Sequence, residues 1–147
     1  MKLLLVTLTA VLSICNTKAQ TTTDIQVSTA VLTSFSASFK NACEVQWKDA
    51  DNYYKADFVM NGQYVSAFYD TDGRLIAVTR NISSLQLPIT LQTNLKKSYE
   101  AHWISDLFEY SDENGVAYYV TVENGDVKIT LKSVGSEWSV FKKQRKS

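Results

Sequence analysis

A chain of 147 residues can form one ordinary domain or two small ones. Its 15 Lys and Arg are matched by 15 Asp and Glu, so a general nucleic-acid role has no electrostatic support. One histidine and two cysteines leave no metal-spaced His/Cys set, and no Gly-x-Ser-x-Gly or phosphate-cradling glycine loop occurs.

The first 19 residues read as a secretory signal peptide: Lys2, an apolar run over 3–14 that is short for a membrane span, and Thr17-Lys18-Ala19 at the cleavage positions. Cys15 raises the alternative of a lipid-modified cysteine, against which Ile14 occupies the place where such signals want a small residue. Loss of Lys2 and Lys18 leaves 13 basic against 15 acidic residues in the mature protein, with Cys43 as its lone thiol, expected to be a small buried hydrophobe. Residues 20–26 read as a linker.

From Ser28 onward, Val31, Leu32, Phe35, Phe39 and Ala42 recur at spacings of three and four, the apolar stripe of an amphipathic helix. Four strands follow, at 44–48, 53–60, 63–69 and 74–80. The central two are hinged on Asn61-Gly62, a dipeptide suited to the type I′ turn of a tight hairpin. Pairing outward from it sets Phe58 opposite Val65, Ala56 opposite Ala67 and Tyr54 opposite Tyr69, one consistent apolar face. Val45, Trp47, Ile76 and Val78 are expected on that side. Asp70-Thr71-Asp72-Gly73 lacks the further oxygen ligands of a calcium loop and reads as a turn, with Asp70 accepting backbone hydrogen bonds and Gly73 left-handed.

A connector (81–87) leads to Pro88 and a second helix carrying Leu91, Leu95 and Tyr99 on one side, with Lys96 and Lys97 in its last turn. Strands are expected again at 103–110, 116–123, 126–132 and 137–141. The second Asn-Gly, at Asn124, lies 63 residues after the first. Pairing from it sets Val122 against Val127, Val120 against Ile129 and Tyr118 against Leu131, and the same offset places Phe108 and Tyr110 on the core side. The pattern implies an α+β protein made as a tandem repeat of helix plus four-stranded antiparallel meander, units 27–80 and 88–142, with helices on one face of the sheet; joining the two sheets, or packing the halves side by side, would enlarge the thin core of each half. Residues 143–147 read as a frayed basic tail.

Several of these motifs belong together in a known group. The run Phe39-Lys40-Asn41-Ala42-Cys43-Glu44-Val45-Gln46-Trp47, then Tyr53-Tyr54-Lys55-Ala56-Asp57-Phe58, Asn61-Gly62, Phe68-Tyr69-Asp70-Thr71-Asp72-Gly73 and Leu87-Pro88, resembles the PepSY-like, β-lactamase-inhibitor-like family of secreted bacterial proteins. Lys40 departs from it, standing where that family usually has proline. The resemblance implies a β-lactamase-inhibitory-protein-like fold, an exported or periplasmic location, a source among the Bacteroidota and no known enzyme activity. It does not imply that a β-lactamase is the target, because specificity resides in surface residues that diverge freely.

Carboxylate pairs at Asp49/Asp51, Asp70/Asp72 and Asp112/Glu113 fall in expected turns and read as turn chemistry rather than as acid/base pairs. His102 reads as a packed junction residue. The informative feature is the sheet face turned away from the helices, where Tyr53, Tyr64, Phe68, Trp103, Leu107 and Tyr119 are expected among Lys55, Asp57, Thr121, Glu123 and Lys128. The sequence thus predicts a secreted or periplasmic, non-enzymatic binding module, an enzyme inhibitor being one form of it, with a protein partner held by Tyr53, Lys55, Tyr64, Phe68, Trp103, Leu107 and Tyr119. It predicts no cofactor, metal, nucleic acid or stable membrane insertion. The alternative is a carrier or envelope sensor for a small ligand or peptide, with a pocket between the two repeats.

Overall fold

The computed structural model describes residues 25–147, so the expected signal segment and most of the linker lie outside the described residues. The chain forms α1 (Thr29–Ser38), β1 (Cys43–Ala50), β2 (Tyr53–Met60), β3 (Gln63–Tyr69) and β4 (Leu75–Asn81). After a single 3-10 turn (Ser84–Gln86) come α2 (Ile89–Ser98), β5 (Trp103–Asp112), β6 (Gly115–Glu123), β7 (Val127–Val134) and β8 (Glu137–Arg145). Among the described residues no helix is long and apolar enough to cross a membrane.

The eight strands form one antiparallel sheet in chain order. This corrects the tandem repeat of helix-plus-four-strand units expected from the sequence. β4 pairs directly with β5, from Ala77 opposite Asp112 to Asn81 opposite Phe108. Two separate meanders would leave both of these strands as unpaired edges, and a unit of about 60 residues buries only a thin core; joining the sheets answers both problems. On the joint, Arg80 donates to both carboxylate oxygens of Glu109, at 2.9 and 3.0 Å.

The second Asn-Gly also departs from the first. Asn61 and Gly62 both have positive φ, 51° and 76°, as a type I′ turn requires. Gly125 does not adopt positive φ. Instead Asn124 Oδ1 accepts from the backbone N–H groups of Asp126 and Val127, both at 2.9 Å, making a longer side-chain-closed loop. Val122 therefore pairs with Ile129 and Val120 with Leu131, two residues beyond the expected register. An even slip keeps each residue on its expected face.

The strand registers place Ala67, Val78, Ser111, Glu109 and Leu107 on one side of the sheet, the side on which both helices pack. Under α1, Val31 and Phe35 bury against Ala56, Phe58, Val65, Ala67 and Tyr69. Phe35 meets the edges of Trp47 and Phe58 at 5.1 Å each, a geometry favoured by the ring quadrupoles. Ser28 caps α1, its hydroxyl accepting from the N–H of Val31. Gly73, at φ 89°, lies so close to α1 that a Cβ there would stand 2.8 Å from the Ala30 carbonyl carbon. Burial pushes the Tyr69 phenol up to about 12; Ser38 opposes this but falls outside hydrogen-bond geometry.

Under α2, Leu87, Leu95, Leu107, Val120, Val122, Ile129 and Leu131 form a second cluster, and Trp138 Nε1–H donates to the Leu91 carbonyl at 2.9 Å. β8 runs through Arg145, so residues 143–145 of the expected tail are paired strand.

Candidate protein-binding face

The strand pairings generate rows of residues across the face opposite the helices. One row runs Lys48, Lys55, Phe68, Ala77, Asp112. The next runs Gln46, Asp57, Ser66, Thr79, Tyr110, Ala117, and a third Asn81, Phe108, Tyr119, Lys132, Ser139. Large side chains thus stand at the two ends of the face, over a floor of Ser66, Ala77 and Thr79 along its centre.

The first bank is Tyr53 and Phe68, ring centroids 5.9 Å apart, with Lys55 Nζ 5.7 Å over the Phe68 ring. Beside them Asp57 gathers Lys48 at 2.9 Å, Lys55 at 2.8 Å and the Ser66 hydroxyl at 2.5 Å. Burial works to raise the Asp57 pKa, yet the bonds from Lys55, Ser66 and Lys48 outweigh it and hold the carboxyl down at about 2. Tyr64, at 71% exposure, projects from the hairpin end of the same bank.

The second bank centres on Tyr119. Phe108 stacks on it in parallel at 5.1 Å, Tyr110 and Phe141 meet it edge-on at 6.2 and 5.5 Å, and Lys132 Nζ lies 5.5 Å from the ring centroid. The Tyr110 hydroxyl donates to Asp112 at 3.1 Å. Asp112 is held below the usual carboxylate range, chiefly by the Asn114 backbone N–H. At the far end Trp103 lies under Lys146 Nζ, at 4.6 Å, and Lys146 and Lys128 both reach Glu123, at 2.7 and 3.2 Å. The Lys146 bond is the largest influence holding Glu123 down at about 2.

Of the seven residues predicted to meet a partner, Tyr53, Lys55, Tyr64, Phe68, Trp103 and Tyr119 lie on this face. Leu107 does not: it is 6% exposed in the core under α2. Phe108 and Tyr110, expected in the core, are on the open face instead. Both corrections have one cause, a bulge between Ile104 and Asp106 that sets the phase of β5. Phe141, Lys132 and Lys146 were not anticipated. The aromatic at 141 is visible in the sequence, but only the pairing of β8 brings it to Tyr119.

Asp57 and Glu123 are held ionised by the lysines bonded to them, an arrangement that fixes those lysines in position. The face thus carries two aromatic banks, fixed charges beside each, and a low centre.

Comparison with solved structures identifies the architecture. A BLIP-like protein from Bacteroides fragilis superposes with a TM-score of 0.69 at 21% identity, over 82% of this chain and 87% of that one. The fold is BLIP-like. A DUF2874 family protein from Bacteroides uniformis gives a TM-score of 0.71 at 15% identity, over 80% and 88% of the two chains. A Bacteroides eggerthii protein, provisionally named as periplasmic, gives 0.72 at 14%, over 81% and 88%. No family model and no curated protein matches the chain. The BLIP-like likeness therefore describes the backbone plan, and the open face has to be read from its own residues.

Proposed function

We propose that this chain is an exported, non-enzymatic binding protein that receives a projecting loop of a partner protein on the open face of its sheet. The carrying observation is the pair of aromatic banks, Tyr53/Phe68 and Phe108/Tyr110/Tyr119/Phe141, facing each other across the floor of Ser66, Ala77 and Thr79. Aromatic side chains with few torsions, adjoining fixed Lys and Asp groups, supply large contact area at low entropic cost. The signal-like N-terminal residues and the periplasmic name of one structural neighbour support export to the bacterial envelope. The narrower PepSY-like assignment rests on the first-half motifs, and a partner that is an enzyme held inactive is the form of binding suggested by the BLIP-like plan.

The test is capture from the envelope fraction of the source organism, comparing wild type with a triple variant, Tyr64→Ala, Phe68→Ala and Trp103→Ala. A protein retained by the wild type and lost by a variant of unchanged melting temperature supports the face and identifies the partner for inhibition assays. Equal retention by both proteins refutes this surface.

A further inference from the structure

β4 covers only part of the length of β5. Their pairing runs from Ala77 opposite Asp112 to Asn81 opposite Phe108, and one further bond closes it, from the Ile82 N–H to the Leu107 carbonyl at 3.1 Å. β5 continues to Trp103, and residues 103–106 pair with β6, Trp103 opposite Glu123 and Asp106 opposite Thr121. On their other side these four residues have no backbone hydrogen bond to any described residue. The connector has turned away by then. Ser83 N–H donates to the Gln86 side chain at 2.9 Å and Gln86 N–H to the Ser83 carbonyl at 3.0 Å, so these groups are satisfied within the 3-10 turn. A notch of about 350 Å³ is left between connector and strand, lined by Ser83, Ser84, Ile104, Ser105 and Asp106.

An unpaired run of strand backbone is a template for one more strand, and main-chain hydrogen bonds then supply the affinity. No lysine or proline blunts this one, and the bulge between Ile104 and Asp106 limits added pairing to a few residues. The side chains along it state what the added strand should carry. Ile104, 42% exposed, stands opposite Val122 on the helix side, while Asp106 lies on the open-face side, exposed and in no ion pair among the described residues. Alternation along a strand therefore calls for a basic residue beside Asp106, with apolar residues before and after it on the Ile104 side.

We propose that this edge of β5 accepts a short extended segment of a partner protein as an added strand running in the direction of β4, with a lysine or arginine beside Asp106 and an apolar neighbour against Ile104. This contact rests on the protein-binding reading above and adds a main-chain mode that does not use the aromatic banks.

The probe is the blocked peptide acetyl-Thr-Val-Lys-Val-Thr-amide, titrated into nitrogen-15-labelled protein and followed by amide shifts and hydrogen exchange. Shifts are expected at 81–84 and 103–107, with exchange in 103–107 slowed at least about tenfold at saturation. Because alternate residues of an added strand face β5, N-methylation of the two valines and N-methylation of the other three residues should differ, one version binding and the other not. Replacing the peptide lysine with glutamate should weaken binding about fivefold, and Asp106→Lys should reverse that preference. Shifts confined to Tyr53, Phe68 and Tyr119 would overturn the notch and leave the aromatic face standing. Absence of binding, indifference to N-methylation, or an unchanged lysine preference in Asp106→Lys would also overturn it. Protection of the same amides that grows with protein concentration, without peptide, would assign the edge to a second copy of the chain and overturn the partner segment.

Discussion

Replacing Leu107 with alanine tests the phase of β5, on which the composition of both faces depends. Leu107 is 6% exposed and packs in the cluster with Leu87, Leu95, Val120, Val122, Ile129 and Leu131. Truncation removes buried methyl groups and leaves a cavity that helix and sheet can only partly close, a change that costs about 3 kcal/mol in well-packed cores. Tyr64→Ala is the control, since that side chain is 71% exposed and should change stability by about 0.5 kcal/mol or less. Urea unfolding followed by far-ultraviolet circular dichroism reads both, with the shift in midpoint taken at constant slope. A cost below about 1 kcal/mol for Leu107→Ala would refute the reasoning, because it would return Leu107 to the solvent face and put Phe108 and Tyr110 in the core.

Four further substitutions check other parts of the structure. Gly73→Ala should cost about 3 kcal/mol by thermal melt, since a Cβ would meet the Ala30 backbone at 2.8 Å and φ is 89°, whereas Gly62→Ala, with open space around it, should cost about 1 kcal/mol. Trp138→Phe should lose about 1 kcal/mol in the same assay, from the bond to the Leu91 carbonyl. Asp57→Asn should flatten the acid limb of the stability curve. The depressed Asp57 pKa, about 2 against 3.8, contributes stability that is present above about pH 4 and lost as pH falls toward 2; with the side chain still 28% exposed, screening reduces its worth to about 1 kcal/mol. Identical acid limbs for the variant and wild type would contradict the ion pairs drawn at Asp57.

The register between β2 and β3 was fully legible because turn and alternation agree: Asn61-Gly62 fixes the hinge, and a one-residue slip would bury Lys55 and Asp57. At Asn124 the same dipeptide misled, since the Asn124 side chain closes a longer loop; only the even size of the slip preserved the faces. In β5 the signal itself was ambiguous. Leu107 is apolar on one phase and Phe108 and Tyr110 on the other, and nothing local marks the bulge that decides between them. The end of the last strand was hidden by its composition, because Lys143 and Arg145 look like a solvated tail until Ile129 and Val127 stand opposite them.

The pairing of β4 with β5, which the sequence leaves open between joined sheets and halves packed side by side, also builds the candidate site. Ala77 sits between Phe68 of β3 and Asp112 of β5, and Thr79 between Ser66 and Tyr110, so the low centre of the face, on β3 and β4, meets the second half of the chain only through the β4–β5 pairing. The aromatic banks come from opposite halves of the chain, and their spacing is set by the hydrogen bonds of one continuous sheet rather than by a flexible linker. Arg80 and Glu109 bind across the same joint on the helix side, holding the two strands in register beneath that floor. A partner seated on both banks would read the joint as a single rigid surface, with little conformational entropy left to lose on binding. Joining the halves thus serves stability and brings both aromatic banks onto one sheet through the same strand pair.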